Sequence, residues 1–331
     1  MPSLVSSGAA LAAALKTEAT GTYRRLYDAR KEVLSQVMKV GIPSDKRLER
    51  YMFWESAPHI VRWPRGEAKR YKGFASILFE VENFEYARAI SWRRIDREDD
   101  LSNSLVERAR DLGQSIGLLE ERIFFQILQS TTDADLLAAI PTAPDGKAVH
   151  HANGIASTNR FGVSGGNAVA SGDSAGADTA AHVRSDYYAA RIRTAQFQDT
   201  EGQPLHNPSV VDGAAVVIYA ADKVEIFQQA FIQERIQGTE AAPSNVILEA
   251  GLAPTLWTTQ RVSTSTDWWM FLTGSEHRSV FSQNREGIRT VMATAENSDH
   301  SRETGEESIH FETRLGFGCM TPYVSVAVDG A

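Results

Sequence analysis

The stretch Glu98-Asp-Asp-Leu-Ser-Asn-Ser-Leu-Val-Glu-Arg-Ala-Arg-Asp-Leu-Gly-Gln-Ser-Ile-Gly-Leu-Leu-Glu-Glu-Arg-Ile-Phe-Phe-Gln-Ile-Leu-Gln129 decides how the rest of the chain is read. Leu101, Leu105, Leu112, Ile116, Leu119, Ile123 and Ile127 recur at steps of three, four and seven, which puts them on one stripe of a single long amphipathic helix. Glu107, Arg110, Asp111, Glu120 and Glu121 fall largely outside that stripe. Asp99, Asp100 and Ser102 offer acceptors for the free N–H groups of a first turn, and their charge suits the positive end of the helix dipole. At 1.5 Å per residue such a rod spans about 43 Å, longer than a small domain needs, so it reads as a spine carrying other elements. Gly113 and Gly117 inside it cost about 1 kcal/mol each relative to Ala, which points to close packing or bending there.

The whole chain has 331 residues and is 42% hydrophobic, enough for one large core or two moderate ones. No apolar run approaches the length of a membrane span, and the N-terminus lacks the pattern of a secretory signal. The single cysteine, Cys319, rules out an intrachain disulfide framework, fits a reducing compartment and reads as a small buried apolar residue. Net charge is −8 and unevenly placed: residues 1–130 carry 21 Lys+Arg against 18 Asp+Glu, and residues 131–331 carry 13 against 24. Parts of opposite sign attract each other between copies or within one. No clustered basic face of the kind that sequence-specific nucleic-acid binding uses is evident.

Upstream, residues 6–39 read as helix, stopped by Gly41-Ile42-Pro43, and residues 1–57 read as an arm of helix and extended chain anchored by Tyr51, Phe53 and Trp54. Residues 58–96 read as extended chain: Tyr71–Val81 and Phe84–Ile95 are strands joined at Glu82-Asn83 into a long hairpin, with 9 Lys+Arg and 5 Asp+Glu over residues 62–97. An isolated ribbon is marginal in water, so this one has to lean on its own domain or on a neighbouring copy.

Downstream, Pro144-Asp145-Gly146 is a turn, and the Gly/Ser/Ala/Asn-rich residues 154–176 read as a loop that needs contacts to be ordered. A second helix covers 178–197, capped by Asp178 or Thr179, with Val183, Tyr187, Ala190, Ile192 and Thr194 as its stripe. Residues 214–219 read as a buried strand, 222–237 as a helix, and 246–248, 256–262, 268–272, 309–317 and 323–328 as further strands. Helices and strands do not alternate regularly, which predicts an α+β fold.

Few residues suggest chemistry. Gly162-Val-Ser164-Gly-Gly166 is similar to the Gly-Asp-Ser-Gly-Gly of trypsin-like proteases but lacks the Asp, so a Ser164 nucleophile would have only His150 or His151 to call on. Those adjacent histidines do not converge readily on one metal ion and read as exposed loop residues. Glu98-Asp99-Asp100 reads as a helix cap before it reads as an acid or cation site. In Trp268-Trp269, strand alternation predicts one core anchor and one interface anchor. No phosphate-cradling or dinucleotide fingerprint occurs, and no catalytic, cofactor-binding or metal-binding residue is assigned.

Phe84-Glu-Tyr-Ala-Arg-Ala-Ile-Ser-Trp-Arg-Arg-Ile95-Asp-Arg-Glu-Asp-Asp100-Leu, running straight into the long helix, resembles the major head subunit of Mu-like phages and prophages, where a strand ends in an "Ile-Glu-Asp-Asp"-like step. Asp267-Trp-Trp-Met-Phe-Leu-Thr, then Arg278-Ser-Val-Phe-Ser-Gln-Asn284, is similar to that family's strand, turn and "Pro-x-x-x-Gln" segment, with Ser279 in place of the Pro. Thr313-Arg-Leu-Gly-Phe-Gly318 resembles its closing "Arg-x-Gly-x-Gly" strand. The likeness covers roughly residues 60–325, and the order of the motifs carries it.

The resemblance implies the tailed-phage capsid fold named after phage Hong Kong 97. Its parts would be an N-terminal arm (1–57), an extended hairpin loop (58–96), a peripheral domain (97–207, completed by 306–331) with a spine helix at 98–129, and an axial domain (208–305). The function it implies is a major capsid protein, not an enzyme, assembling as hexamers and pentamers into an icosahedral shell. The shell would form in the host bacterial cytoplasm and enclose double-stranded DNA without sequence-specific contact. Scaffold, portal and decoration proteins would be further partners; no cofactor, metal or membrane is implied. Trp63, Arg65, Arg70, Arg93, Arg94 and Trp268 are the candidates for contact between copies. The competing expectations are the shell of an encapsulating protein compartment and a serine hydrolase built on Ser164.

Overall fold

The computed structural model of the chain describes residues 8–54, 62, 63, 65, 68, 76–98, 104–151, 160–170, 179–199, 201–233, 245–262, 267–294 and 297–329. In chain order its elements begin with α1 (Gly8–Val37), β1 (Met38–Pro43), β2 (Leu48–Trp54), β3 (Ser76–Glu82), β4 (Phe84–Arg93), α2 (Arg94–Glu98), α3 (Ser104–Gly117) and α4 (Leu119–Leu128). β5 (Ala168–Ala170), α5 (Ala180–Ala195), α6 (Pro208–Val211), β6 (Ala215–Ala220), α7 (Val224–Phe231), α8 (Val246–Glu249) and β7 (Thr255–Thr259) follow. β8 (Trp268–Leu272), β9 (Val280–Ala293), α9 (Asp299–Thr304), β10 (Glu306–Cys319) and β11 (Ser325–Asp329) complete the α+β fold.

The strands form a four-stranded sheet in the order β1-β9-β10-β4, a five-stranded sheet in the order β5-β11-β8-β6-β7, and a separate ribbon of β2 with β3. The long amphipathic stripe runs through α3 and α4: Leu105, Leu112, Ile116, Leu119, Ile123 and Ile127 are all buried. The single rod expected over 98–129 is instead two helices meeting at Leu118, which leaves helical geometry at φ −101°, ψ 4°. Its amide still donates to the Gln114 carbonyl (3.1 Å), and the Arg122 amide donates to its carbonyl (3.0 Å), so the rod bends without losing its ladder. The caps at Asp99, Asp100 and Ser102 lie outside the described residues.

The two glycines of the rod are explained by α1, which runs alongside in the same direction. A Cβ on Gly113 would stand 2.4 Å from the Ala19 carbonyl oxygen, and one on Gly117 would stand 3.2 Å from Leu26 Cβ. Only glycine lets the two backbones approach this closely, so the first half of α1 is packed into the core, with Leu15 and Ala19 fully buried beside Trp92, Leu112 and Phe311. The Gly41-Ile42-Pro43 stop lies inside β1, not at the end of a helix. β1 pairs in parallel with β9, and Gly41, at φ 73°, makes the irregularity between Lys39 and Ile42.

The hairpin expected from 71–81 and 84–95 is not formed. β3 pairs with β2, from Leu48 opposite Glu82 to Trp54 opposite Ser76, while β4 pairs with β10 from Phe84 opposite Leu315 to Arg93 opposite Glu306. Asn83 is the cause: buried between the strands, it hands the chain from ribbon to sheet. Further along, Thr179 caps α5 as expected, accepting from the His182 amide, but Ile192 is exposed at 57%. Val246–Leu248 is the start of helix α8, not a strand, because the Asn245 side chain accepts from the Ile247 amide (3.2 Å). The 14-residue β9 joins β1 and β10, so residues 280–293 share a sheet with the chain's beginning and end.

One core cluster runs from Val37 and Met38 through Ile123, Phe124 and Ile127 to Trp269 and Phe271 on one face of the five-stranded sheet and Leu315 and Phe317 on the other sheet. A second cluster covers the opposite face of the five-stranded sheet, where α5 and α7 pack Tyr187, Phe227 and Phe231 against Val217, Trp268 and Val326. At roughly 1.5–3 kcal/mol for each large apolar side chain fully buried, these clusters supply most of the drive to fold. Trp268 and Trp269 point to opposite faces as alternation requires, but both faces are covered, leaving them 0% and 3% exposed.

Candidate assembly surfaces

The β2–β3 ribbon stands on a polar joint assembled from four segments. Chain entering the ribbon turns at Ser44-Asp45-Lys46, and the Glu49 carboxylate closes that turn by accepting from the Ser44 hydroxyl and the Asp45 and Lys46 amides, each at 3.0 Å. Those donors hold the Glu49 carboxyl below its ordinary range, the Lys46 amide contributing most. Asn83, where the chain leaves the ribbon, donates to Ser44 Oγ and to the Lys46 carbonyl, both at 2.7 Å. Gln283 of β9 donates to Asn83 Oδ1 (2.9 Å) and accepts the Tyr51 hydroxyl (2.7 Å). Backbone contact finishes the joint: a Cβ on Gly316 would meet Gln283 Nε2 at 2.7 Å and Asn83 Oδ1 at 2.8 Å.

Strand alternation then gives the ribbon two unlike faces. Tyr51, stacked on Phe79 with ring centroids 5.5 Å apart, turns toward the sheet and meets Phe281 edge-on. The other face carries Leu48, Arg50 and Met52 opposite Glu82, Glu80 and Leu78. Arg50 pairs with Glu80 at 2.7 Å and Arg47 with Glu82 at 2.9 Å, which fixes the register near the base. Farther out, Met52 and Leu78 sit directly across from each other at 50% and 56% exposure. Two large half-exposed apolar side chains directly opposite each other on the outer face of the ribbon make a candidate contact surface.

Two grooves border this region. One, of about 630 Å³, runs between the outer edge of β4 and the α3–α4 rod and mixes charges: Arg88, Arg108 and Arg122 with Asp111, Asp133 and Asp135. The other, of about 560 Å³, lies under β3 and is mainly apolar, with Phe79, Val81, Phe84, Ile140, Pro141 and Phe317 along it.

Of the contact candidates read from the sequence, Trp63 is 60% exposed, and Arg65, Arg93 and Arg94 are exposed as well. Arg70 lies outside the described residues. Trp268 is a correction: fully buried, it meets Phe227 edge-on in its own core and has no surface for a neighbour. Met52 and Leu78 were missed. Their signal is present in the sequence only once the pairing of β2 with β3 is known, because each strand carries apolar residues on both of its faces.

The residues once considered for chemistry have structural partners. His150 is not an exposed loop residue: it lies edge-on to Phe271 and its Nε2 is 3.0 Å from Ser325 Oγ, while burial pushes its pKa down to about 3. The Ser164 carbonyl accepts from Arg193, and the His151 amide donates to Asn167 Oδ1. Asp145, from the predicted turn, forms an ion pair with the buried Arg160 at 2.7 Å. Cys319 is buried as expected, its thiol directed at the Pro141 carbonyl and its pKa pushed up by desolvation. Among the described residues no group of three or more His, Cys, Asp and Glu gathers as metal ligands would, and no helix is long and apolar enough to cross a membrane.

A bent spine helix, a joint-mounted ribbon and two sheets sharing one core define the class: this is the capsid fold named after phage Hong Kong 97. Structures of that class overlay nearly the whole chain. The capsid of cyanophage P-SCSP1u matches at TM-score 0.54 and 10% identity, over 89% of this chain and 86% of that one. The capsid of Myoviridae phage XM1 matches at TM-score 0.56 and 9% identity, over 91% and 92%. A virus-like particle from Pyrococcus furiosus matches at 0.52 and 8%, over 94% and 98%. The family model described as Mu-like prophage major head subunit gpT matches residues 12–136, from α1 through α4 to the loop beyond it. No curated protein matches the chain.

Proposed function

We propose that this chain is the major capsid protein of a tailed phage or prophage, self-assembling into an icosahedral shell. The observation that carries the reading is the ribbon, clamped at its base by Glu49, Asn83 and Gln283 while presenting Met52 and Leu78 to solvent. A firm joint below a half-exposed apolar pair is what a subunit needs to reach a neighbour, and the family match over residues 12–136 supports the same conclusion. In this reading α1 and β1 are the arm, the ribbon from about residue 44 to 83 is the extended loop, and the β1-β9-β10-β4 sheet with the spine is the peripheral domain. The five-stranded sheet with α5 and α7 is the axial domain, placed around the centres of hexamers and pentamers. The exposed candidates Trp63, Arg65, Arg93 and Arg94, with Arg70, remain proposed contacts at these boundaries. The shell forms in the host bacterial cytoplasm around scaffold and portal proteins and then holds double-stranded DNA.

Electron microscopy and light scattering of the expressed chain test this: closed particles are expected. A stable monomer at every protein concentration and salt level would overturn it. The likeness to a virus-like particle from Pyrococcus furiosus favours one second reading, a compartment shell, in which purified particles would hold protein instead of DNA. The chain is not expected to be an enzyme; absence of Ser164 labelling by a fluorophosphonate probe is the expected result.

A further inference from the structure

Glu120 sits at the meeting point of four elements, and its surroundings differ from those of its neighbour Glu121. Glu121 has two arginines, Arg30 of α1 at 3.2 Å and Arg261 at 3.1 Å. Glu120, equally buried at 5% exposure, faces the Tyr27 hydroxyl of α1 at 3.4 Å and the Ser282 hydroxyl of β9, and its Oε2 has no hydrogen-bond partner. Ser282 in turn accepts from the Gly41 amide of β1 (2.9 Å), so the carboxyl reaches the strand that follows α1 as well. The charged and titratable groups around it are Tyr23, Tyr27, Asp28 and Lys31 from α1, and Glu121 with Arg30 and Arg261 alongside. From β9 the Ser282 hydroxyl faces Glu120, and Ser282 is tied to the β1 backbone at Gly41. The one cation acting on Glu120 is Lys31, whose attraction ranks below the cost of burial.

We propose that Glu120 is a proton-operated latch for the second half of α1: as the neutral acid it lets Tyr23–Val37 and β1 dock on the spine, and as the carboxylate it loosens them. The first half of α1 is held differently, by the Ala19 backbone against Gly113 and by the half-exposed Arg110–Glu18 ion pair at 3.2 Å, so the latch acts on Tyr23–Val37 alone. Burial raises the Glu120 pKa from 4.5 to about 7. A carboxyl raised on folding contributes stability fully present below the unfolded value of 4.5 and lost as pH rises to about 7. The ratio of the two ionisation constants sets a ceiling of about 300-fold on the loosening, all of it within that window. This latch belongs to the single chain and does not depend on whether the chain builds a shell.

Hydrogen exchange of residues 23–43 in the unassembled full chain tests it, read from pH 4.5 to 8 and corrected for intrinsic exchange. The wild type is expected to lose protection there by up to about 300-fold, levelling off above pH 7, while Glu120→Gln, fixed in the neutral form, keeps its protection across the range. Tyr27→Phe, which removes a donor that favours the carboxylate, is expected to move the wild-type midpoint upward. Parallel pH profiles for the wild type and Glu120→Gln would overturn the proposal. Should Glu120→Gln not fold, an unmoved midpoint in Tyr27→Phe would overturn it equally.

Discussion

The same substitution, glycine to alanine, is expected to have opposite effects inside the seam between α1 and α3 and on the exposed face of α1. At Gly113 the new Cβ would lie 2.4 Å from the Ala19 carbonyl oxygen and 3.3 Å from its carbon. Ordinary contact begins near 3.5 Å, so α1 or α3 has to retreat by roughly 1 Å. The contact atom is backbone in the middle of a 30-residue helix, so no rotamer change relieves it, and Leu15, Ala19, Leu112 and Phe311 lose packing together. Such overpacking costs about 1–3 kcal/mol, against a helix-propensity gain of about 1 for leaving glycine. Gly113→Ala is therefore expected to destabilise by about 1 kcal/mol, the difference running from about 0 to 2. Gly21, exposed on α1 with nothing within 4 Å of its would-be Cβ, keeps only the gain, so Gly21→Ala stabilises by about 0.5–1 kcal/mol. Urea unfolding of the unassembled subunit, followed by circular dichroism, separates the two by the sign of the midpoint shift. If Gly113→Ala raises the midpoint as Gly21→Ala does, the close-approach argument is wrong.

Other expectations follow from single contacts. Tyr51→Phe keeps the stack on Phe79 but leaves the buried Gln283 Oε1 without its donor, so the ribbon joint weakens by about 1 kcal/mol, visible as faster hydrogen exchange over residues 44–54 and 76–83. Asp145→Ala removes the carboxylate from Arg160, which is 1% exposed, and is expected to cost about 3 kcal/mol in calorimetry because a charge is left buried against carbonyls alone. The double change Met52→Thr with Leu78→Thr replaces the half-exposed cross-strand apolar pair by one that still suits a strand. It is expected to leave subunit stability within about 0.5 kcal/mol while lowering the yield of particles in sedimentation.

What the sequence disclosed and what it withheld follow from the range of the interactions involved. The stripe from Leu105 to Ile127 is a local pattern with a period, and burial bears it out residue by residue; Cys319, the Thr179 cap and the turn at Gly146 were legible for the same reason. Strand partners are not local. Tyr71–Val81 and Phe84–Ile95 adjoin in sequence and read as a hairpin, yet their partners lie at residues 48–54 and 306–315. The deciding residue, Asn83, satisfies its amide through Ser44, Lys46 and Gln283, contacts up to 200 positions away. β9 went unseen because its 14 residues mix Gln283, Asn284, Arg285 and Glu286 with Val280 and Phe281, buried on both faces at one end and half-exposed at the other. Val246–Leu248 was too short for its period to tell strand from helix, and the Asn245 cap decided it.

Glu120 and Glu121 fail for a more instructive reason. On a helical wheel they sit at the edge of the apolar stripe, where a carboxylate normally turns to water. α1 lies over that edge, and no pattern within residues 98–129 announces a second helix packed there. Gly113 and Gly117 were the only hint, since a spine with two glycines pays in helix propensity for something that must come close. Once α1 is in place the two carboxyls have no route to solvent, and their fates divide by available cations: Arg30 and Arg261 both reach Glu121, leaving Glu120 to hydroxyls. An apolar residue at position 120 would pack α1 as well without the pH dependence proposed for Glu120. In the latch proposed above, keeping the Glu120 carboxyl under the helix that β1 follows makes the docking of that helix conditional on one proton.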